Sequence, residues 1–162
     1  EHFSRAVALQ DDLVDAHLKL ASLLTSRQRP GEAIEHYRRA LRHEPANAGV
    51  HVRLATALAR GGDYQQALSV FERAASLVPL DAPAQMNWGS ALMRLDDAAR
   101  AIEHYRRALE LNPSYASAHF NLGLALEQLG RTNEAIAAYR QAVGIDPNQA
   151  ARQRLRALGA LP

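Results

Sequence analysis

The nine-residue string AIEHYRRAL stands at residues 33–41 and again at residues 101–109, 68 residues apart. Two relatives fill the regular intervals: ALSVFERAA from Ala67 and AIAAYRQAV from Ala135. One unit of 34 residues is therefore repeated four times. A unit that short cannot bury an apolar face alone, so successive copies must stack on one another. The period constrains the fold more than any composition statistic does.

The four copies span residues 14–47, 48–81, 82–115 and 116–149. Within a copy, position 7 is large (Leu20, Leu54, Trp88, Leu122) and position 8 is small (Ala21, Ala55, Gly89, Gly123). Position 11 is always leucine, position 20 alanine, position 24 aromatic (Tyr37, Phe71, Tyr105, Tyr139), position 27 alanine and position 32 proline. The intervals 4–7–8–11 and 20–24–27 are helical, which predicts two helices per copy. Matched large and small residues let those helices interdigitate. Gly62 and Gly130 at position 15 mark the turn between them, with Gln28 and Asp96 in the other copies. The proline at position 32 ends the second helix.

These positions, in register over residues 14–149, resemble the tetratricopeptide repeat (TPR) family. The resemblance implies an all-α fold: a right-handed α-α superhelix of antiparallel helix pairs whose first helices line a concave face. Residues 1–13 align with the second helix of a truncated preceding repeat, with Phe3 at position 24, and the chain does not open on methionine; both fit a fragment of a longer protein. Residues 150–162 read as an amphipathic capping helix and tail, with Ala151, Leu155 and Leu158 on one face and Gly159 as its stop.

Much chemistry is excluded by what the sequence contains. Without cysteine, neither a disulfide nor a thiolate metal site can form, and the composition fits a reducing, cytoplasmic compartment. No apolar run approaches the roughly 20 residues of a membrane helix, so no membrane insertion is expected. The 19 basic residues include one lysine, Lys19, and the net charge is +2, with no basic stripe interleaved with aromatics; nucleic acid is not the expected partner. Arginine and alanine enrichment reads as bacterial base composition. His17, His51 and His119 share position 4, while His2, His36 and His104 share position 23. No histidine pair lies at i, i+4, and stacked copies stand about 8–10 Å apart, against about 2 Å for a zinc–nitrogen bond. The position 4 histidines therefore read as spacers at the core edge, and neither a metal nor a cofactor is expected. The acidic pairs Asp11–Asp12 and Asp96–Asp97 fall where helices start and read as caps. No nucleophile elbow or phosphate loop occurs, so the expectation is a protein that is not an enzyme.

By resemblance, positions 2, 5, 6, 9, 12 and 13 face the groove. The candidate partner-binding residues are Leu18, Lys19, Ser22, Val52, Arg53, Thr56, Arg60, Met86, Asn87, Ser90, Arg94, Phe120, Asn121 and Leu124. Position 5 forms an apolar row and position 6 a polar one, basic at Lys19 and Arg53 and amide at Asn87 and Asn121. The groove is expected to grade from basic to neutral or mildly acidic, Glu127 being the acid. Arginine grips carboxylates through paired hydrogen bonds, and asparagine matches the donor and acceptor of an extended backbone. The resulting expectation is a protein–protein interaction scaffold that binds an extended peptide, acidic near Lys19 and Arg53 and apolar near Met86 or Phe120. The carboxylate clamp of chaperone-binding relatives is not expected, since Leu18, Ser22, Arg53, Pro83 and Asn87 do not supply its residue types, nor do Val52, Thr56, Asn87, Ser117 and Asn121. Two alternatives stand beside this. One is the recognition domain of a larger bacterial enzyme, resembling repeats fused to O-linked sugar transferases, or of an export or assembly machine. The other is self-assembly, with Phe3 and Val7 offering an open N-terminal end to form a homo-dimer.

Overall fold

The computed structural model describes residues 14–147 and 149–160; the segment expected to be a preceding second helix, residues 1–13 with Asp11 and Asp12, lies outside them. Among the described residues all regular structure is helical, in two compact units. Unit 1, ending at Leu80, holds α1 (Val14–Ser26), α2 (Pro30–His43), α3 (Ala48–Arg60) and α4 (Tyr64–Leu77). Unit 2, from Asp81, holds α5 (Ala82–Met93), α6 (Ala98–Leu111), α7 (Ala116–Gln128), α8 (Thr132–Ile145) and α9 (Gln149–Ala157). Within each unit every helix packs on its successor in the chain.

Each first helix closes in the same way. The residue at position 15 is left-handed in all four copies: Gln28 (φ 58°), Gly62 (φ 90°), Asp96 (φ 59°) and Gly130 (φ 72°). The next amide reaches back to the position 11 carbonyl: Arg29 to Leu24 (2.9 Å), Asp63 to Leu58 (3.0 Å), Asp97 to Leu92 (3.0 Å) and Arg131 to Leu126 (2.9 Å). This six-residue hydrogen bond satisfies a carbonyl the helix would otherwise leave open. Asp96 therefore does not cap a helix, contrary to the expectation from its pairing with Asp97. It stands where glycine stands in two other copies. Asp97 does cap, accepting from the Arg100 amide (3.1 Å), as Asp63 accepts from Gln66 (3.1 Å) and Asp81 from Ala84 (2.9 Å). The Arg100 side chain, then its amide, hold the Asp97 carboxyl below the usual carboxylate range. Where position 16 is arginine no side-chain cap forms, and the pair is reversed: Arg29 bonds Glu32 and Arg131 bonds Glu134, both in bidentate fashion.

The repeated core is the aromatic ring of position 24 laid on the small residue of position 8. Tyr105 and Tyr139 are fully buried, as are the flanking alanines Ala101, Ala108, Ala135 and Ala142. A Cβ added to Gly89 would lie 2.7 Å from the Tyr105 ring, and one added to Gly123 would lie 2.5 Å from the Tyr139 ring. Glycine there is a packing requirement, since real Cβ contacts are longer. In unit 2, α9 buries Ala151 and Leu155; its stop at Gly159 (φ 68°) is tied by the Ala160 amide to the Leu155 carbonyl at 2.8 Å.

The histidines pair across the two helices of one copy, a relation the position-by-position comparison of stacked copies does not reveal. His17 and His36 share a proton between their Nδ1 atoms at 2.8 Å, and His17 has no exposed surface. In the third copy His104 Nδ1 donates to Gln85 Oε1 at 2.8 Å while its ring stacks on Trp88, centroids 4.1 Å apart. Where position 23 is Val70 or Ala138, the position 4 histidine turns instead to the preceding proline: His51 Nε2 donates to the Pro45 carbonyl and His119 Nε2 to the Pro113 carbonyl, both at 2.9 Å. Among the described residues no three His, Asp or Glu side chains converge in a way that would hold a metal ion.

Two predictions follow from this packing. Gly123→Ala gains helix propensity yet drives a methyl into a buried ring, for a net loss of about 1 kcal/mol or more. Gly144→Ala meets nothing within 4 Å and gains up to about 1 kcal/mol; urea unfolding measures both. Burial first, then Arg107 and Arg100, lower the His104 pKa to about 4. Folding thus favours the neutral ring: its contribution is complete above the unfolded value near 6.5 and is lost as pH falls toward 4. The loss is on the order of 2–3 kcal/mol, followed by Trp88 fluorescence, and His104→Gln, which keeps a partner for Gln85, removes that part of the acid sensitivity.

Candidate functional site

In unit 1 the expected binding residues come from α1 and α3. Lys19, Ser22, Arg53 and Arg60 are exposed, while Leu18, Val52 and Thr56 are half-buried. The hydroxyls are already engaged with their own helices: Thr56 donates to the Val52 carbonyl (2.9 Å), and Thr25 to the Ala21 carbonyl (2.8 Å). Neither Arg53 nor Arg60 has an ion-pair partner among the described residues. They stand seven residues apart on α3, a helix without a carboxylate, and so share one face roughly two turns apart. The basic character expected of this part of the face is thus uncompensated from within α3. Arg60 also shares a cavity with Thr25, Ser26, Gln28 and Pro30.

In unit 2 the candidates come from α5 and α7 and meet around Met86. The Met86 sulfur receives the Asn121 Nδ2 donor at 3.7 Å and lies 3.5 Å from the Ser90 hydroxyl, which itself donates to the Met86 carbonyl (2.9 Å). Phe120 tilts against Tyr139, ring centroids 5.7 Å apart. Met86, Asn87, Ser90, Phe120, Asn121 and Leu124 are all half-buried; Arg94 is exposed. The result is an apolar surface edged by carboxamides. A thioether is a weak acceptor, so the Asn121 donor is poorly used in its present contact.

Two groups on this side of unit 2 escaped the sequence reading. Tyr105 and Tyr139 were assigned to the core by their spacing, and their rings are there. Their hydroxyls, however, reach side chains of the first helices: Tyr105 donates to Ser90 Oγ (3.3 Å) and Tyr139 to Glu127 Oε2 (2.7 Å). The close approach over Gly89 and Gly123 is what carries them through. Burial, then Glu127, push the Tyr139 hydroxyl up to about 12. Glu127 also bonds Arg154 of α9 at 3.1 Å. The acid expected to tint this end of the groove is therefore paired within the fold. The Arg154 partnership was not legible because α9 follows the last repeat out of register.

Two sequence profiles of the tetratricopeptide repeat match the chain, over residues 24–86 and 86–150. No curated protein sequence gives a significant match. Among solved structures, a MamA fragment from Desulfovibrio magneticus RS-1 is 26% identical with a TM-score of 0.85, covering 91% of this chain and 84% of that one. YrrB, described as a TPR protein with an unusual peptide-binding site, is 22% identical with a TM-score of 0.79, covering 99% and 85%. PilF of Pseudomonas aeruginosa is 21% identical with a TM-score of 0.81, covering 98% and 74%. The repeating helix pairs, their shared left-handed closure and their aromatic-on-small core agree with these matches, and the chain belongs to the tetratricopeptide-repeat family, in the all-α superhelix class.

Proposed function

We propose that this chain is a non-catalytic protein-interaction scaffold whose first-helix faces bind an extended segment of a partner protein. The observation that carries the reading is the face of unit 2. Met86, Phe120 and Leu124 offer apolar surface, and the Asn121 carboxamide spends its donor on a sulfur 3.7 Å away. An extended backbone that takes this donor gains a stronger hydrogen bond than the one it displaces. On unit 1, by itself, Arg53, exposed on a helix with no carboxylate, favours an acidic residue in a segment bound there. YrrB, of the same fold, carries a peptide-binding site, which supports a peptide as the ligand class. Each exposed ion pair adds only roughly 0.2–1 kcal/mol, so affinity is the sum of several weak contacts.

Anisotropy of a fluorescein-labelled, leucine-rich peptide carrying one glutamate tests the reading. Arg53→Glu is expected to weaken binding about 3- to 10-fold and to flatten its salt dependence. Asn121→Ala is expected to weaken it about 2- to 10-fold at all salt concentrations. Unchanged affinity in both variants would remove these faces as the binding surface.

A further inference from the structure

A cavity of about 540 Å³ lies where α1 passes into α2, lined by Thr25, Ser26, Gln28, Pro30 and Arg60. Its donors are unusual in two independent ways. Arg60, in the last turn of α3, is exposed and makes no hydrogen bond or ion pair among the described residues. The helix dipole favours a cation there, but it leaves the guanidinium's donors unused. Gln28 adopts φ 58° at the position where two other copies have glycine. Asp96, the remaining exception, is of a residue type that enters this region readily; glutamine is not. The Arg29–Leu24 hydrogen bond of the helix closure offsets part of the backbone cost, as in every copy, but the Gln28 carboxamide has no hydrogen-bond partner among the described residues, so the side chain itself adds nothing. A long side chain kept at a left-handed position and engaged in no local contact is a reason to look for a ligand contact.

The other polar groups of the lining are taken. Thr25 donates to the Ala21 carbonyl and Ser26 to the Leu23 carbonyl, both at 2.8 Å. Arg29, beside Gln28 in the chain, is held by Glu32 at 2.5 and 2.7 Å. The donors left for a ligand are the guanidinium fork of Arg60 and the amide of Gln28. A single available cation joined by a neutral amide suits a monoanion better than a doubly charged phosphate.

We infer that this cavity is a binding site for the carboxylate of an aspartate or glutamate side chain in a partner protein, gripped by Arg60 and Gln28. The site lies at the turn end of unit 1 and does not depend on the Lys19 and Arg53 row. It gives the left-handed glutamine a role: the strained backbone presents a donor that glycine would not.

The experiment is fluorescence anisotropy of the whole chain with a labelled octapeptide of alternating glycine and glutamate, and with its glutamine counterpart, at low salt. Arg60→Ala and Gln28→Gly are each expected to weaken binding of the glutamate peptide at least 5-fold, while the glutamine peptide binds no chain appreciably. Gln28→Gly is at the same time expected to raise the melting temperature by about 2–5 °C, since it relieves the strain. A purely structural glutamine would show the thermal gain with no loss of binding, and that result would overturn the assignment. So would wild-type affinity in Arg60→Ala, equal binding of the two peptides, or displacement by inorganic phosphate at concentrations where free glutamate is inert. Arg53→Ala separates the two sites: loss there alone would overturn the cavity and leave the groove reading standing, whereas loss in Arg60→Ala and Gln28→Gly alone would support the cavity and remove the acidic part of the groove reading.

Discussion

The contact on which each helix pair depends is a ring laid on a small residue. An aromatic side chain from the second helix presses on alanine or glycine in the first, and four alanine-lined copies of that contact replace the single large core of a globular domain. Its energetics are those of close packing: dispersion and apolar burial are gained only if the backbones approach, and a methyl at Gly89 or Gly123 would prevent the approach. The same closeness has a chemical consequence. Because the rings of Tyr105 and Tyr139 pass over glycine, their hydroxyls reach Ser90 and Glu127 on the far side. A packing residue thereby holds polar side chains of the first helices from beneath the face proposed to bind a partner.

The copies are equivalent in backbone and unequal in chemistry. Helix starts are capped by Asn47, Asp63, Asp81 and Asp97 in some places and braced by an Arg–Glu pair in others. Both devices serve the helix end, by supplying an acceptor to an open amide or by placing a carboxylate in the first turn. The position 4 and position 23 pairs vary likewise, between imidazole on imidazole, imidazole on amide, and imidazole on a proline carbonyl. Burial lowers the proton affinity of His36 in the first copy and of His104 in the third, so an acid sensitivity is built on the position 23 histidines. Uniform geometry with unequal side chains is what allows a repeat protein to keep one scaffold and present a distinctive surface.

Electrostatics divides the two units. Unit 1 presents Arg53 and Arg60 on a helix with no acid of its own, whereas unit 2 uses Arg154 to satisfy Glu127 and leaves an apolar face edged with amides. An unpaired exposed arginine is cheap to leave in water and gains on meeting a carboxylate. A paired glutamate offers a partner little. In the binding reading proposed above, the charge open to a partner is thus the charge the fold leaves unused.

By itself the sequence determined the helices, the period, the buried positions and the family. Those follow from spacing: alanine, leucine and aromatic residues recurring at 3.6-residue intervals have one face to bury, and proline has one place to stand. It also pointed to the first helices as the binding surface, because the copies differ there. Only the tertiary structure decided the rest. Gln28 and Asp96 take the left-handed conformation although neither is glycine, since closing the first helix onto the second demands it in every copy. Glu127 is paired with Arg154, a partner outside the repeat register, and His104 found Gln85 nineteen residues away. A periodic pattern encodes which side of a helix is buried, but it does not encode which side chains meet there, because that depends on distances between helices that no spacing along the chain contains.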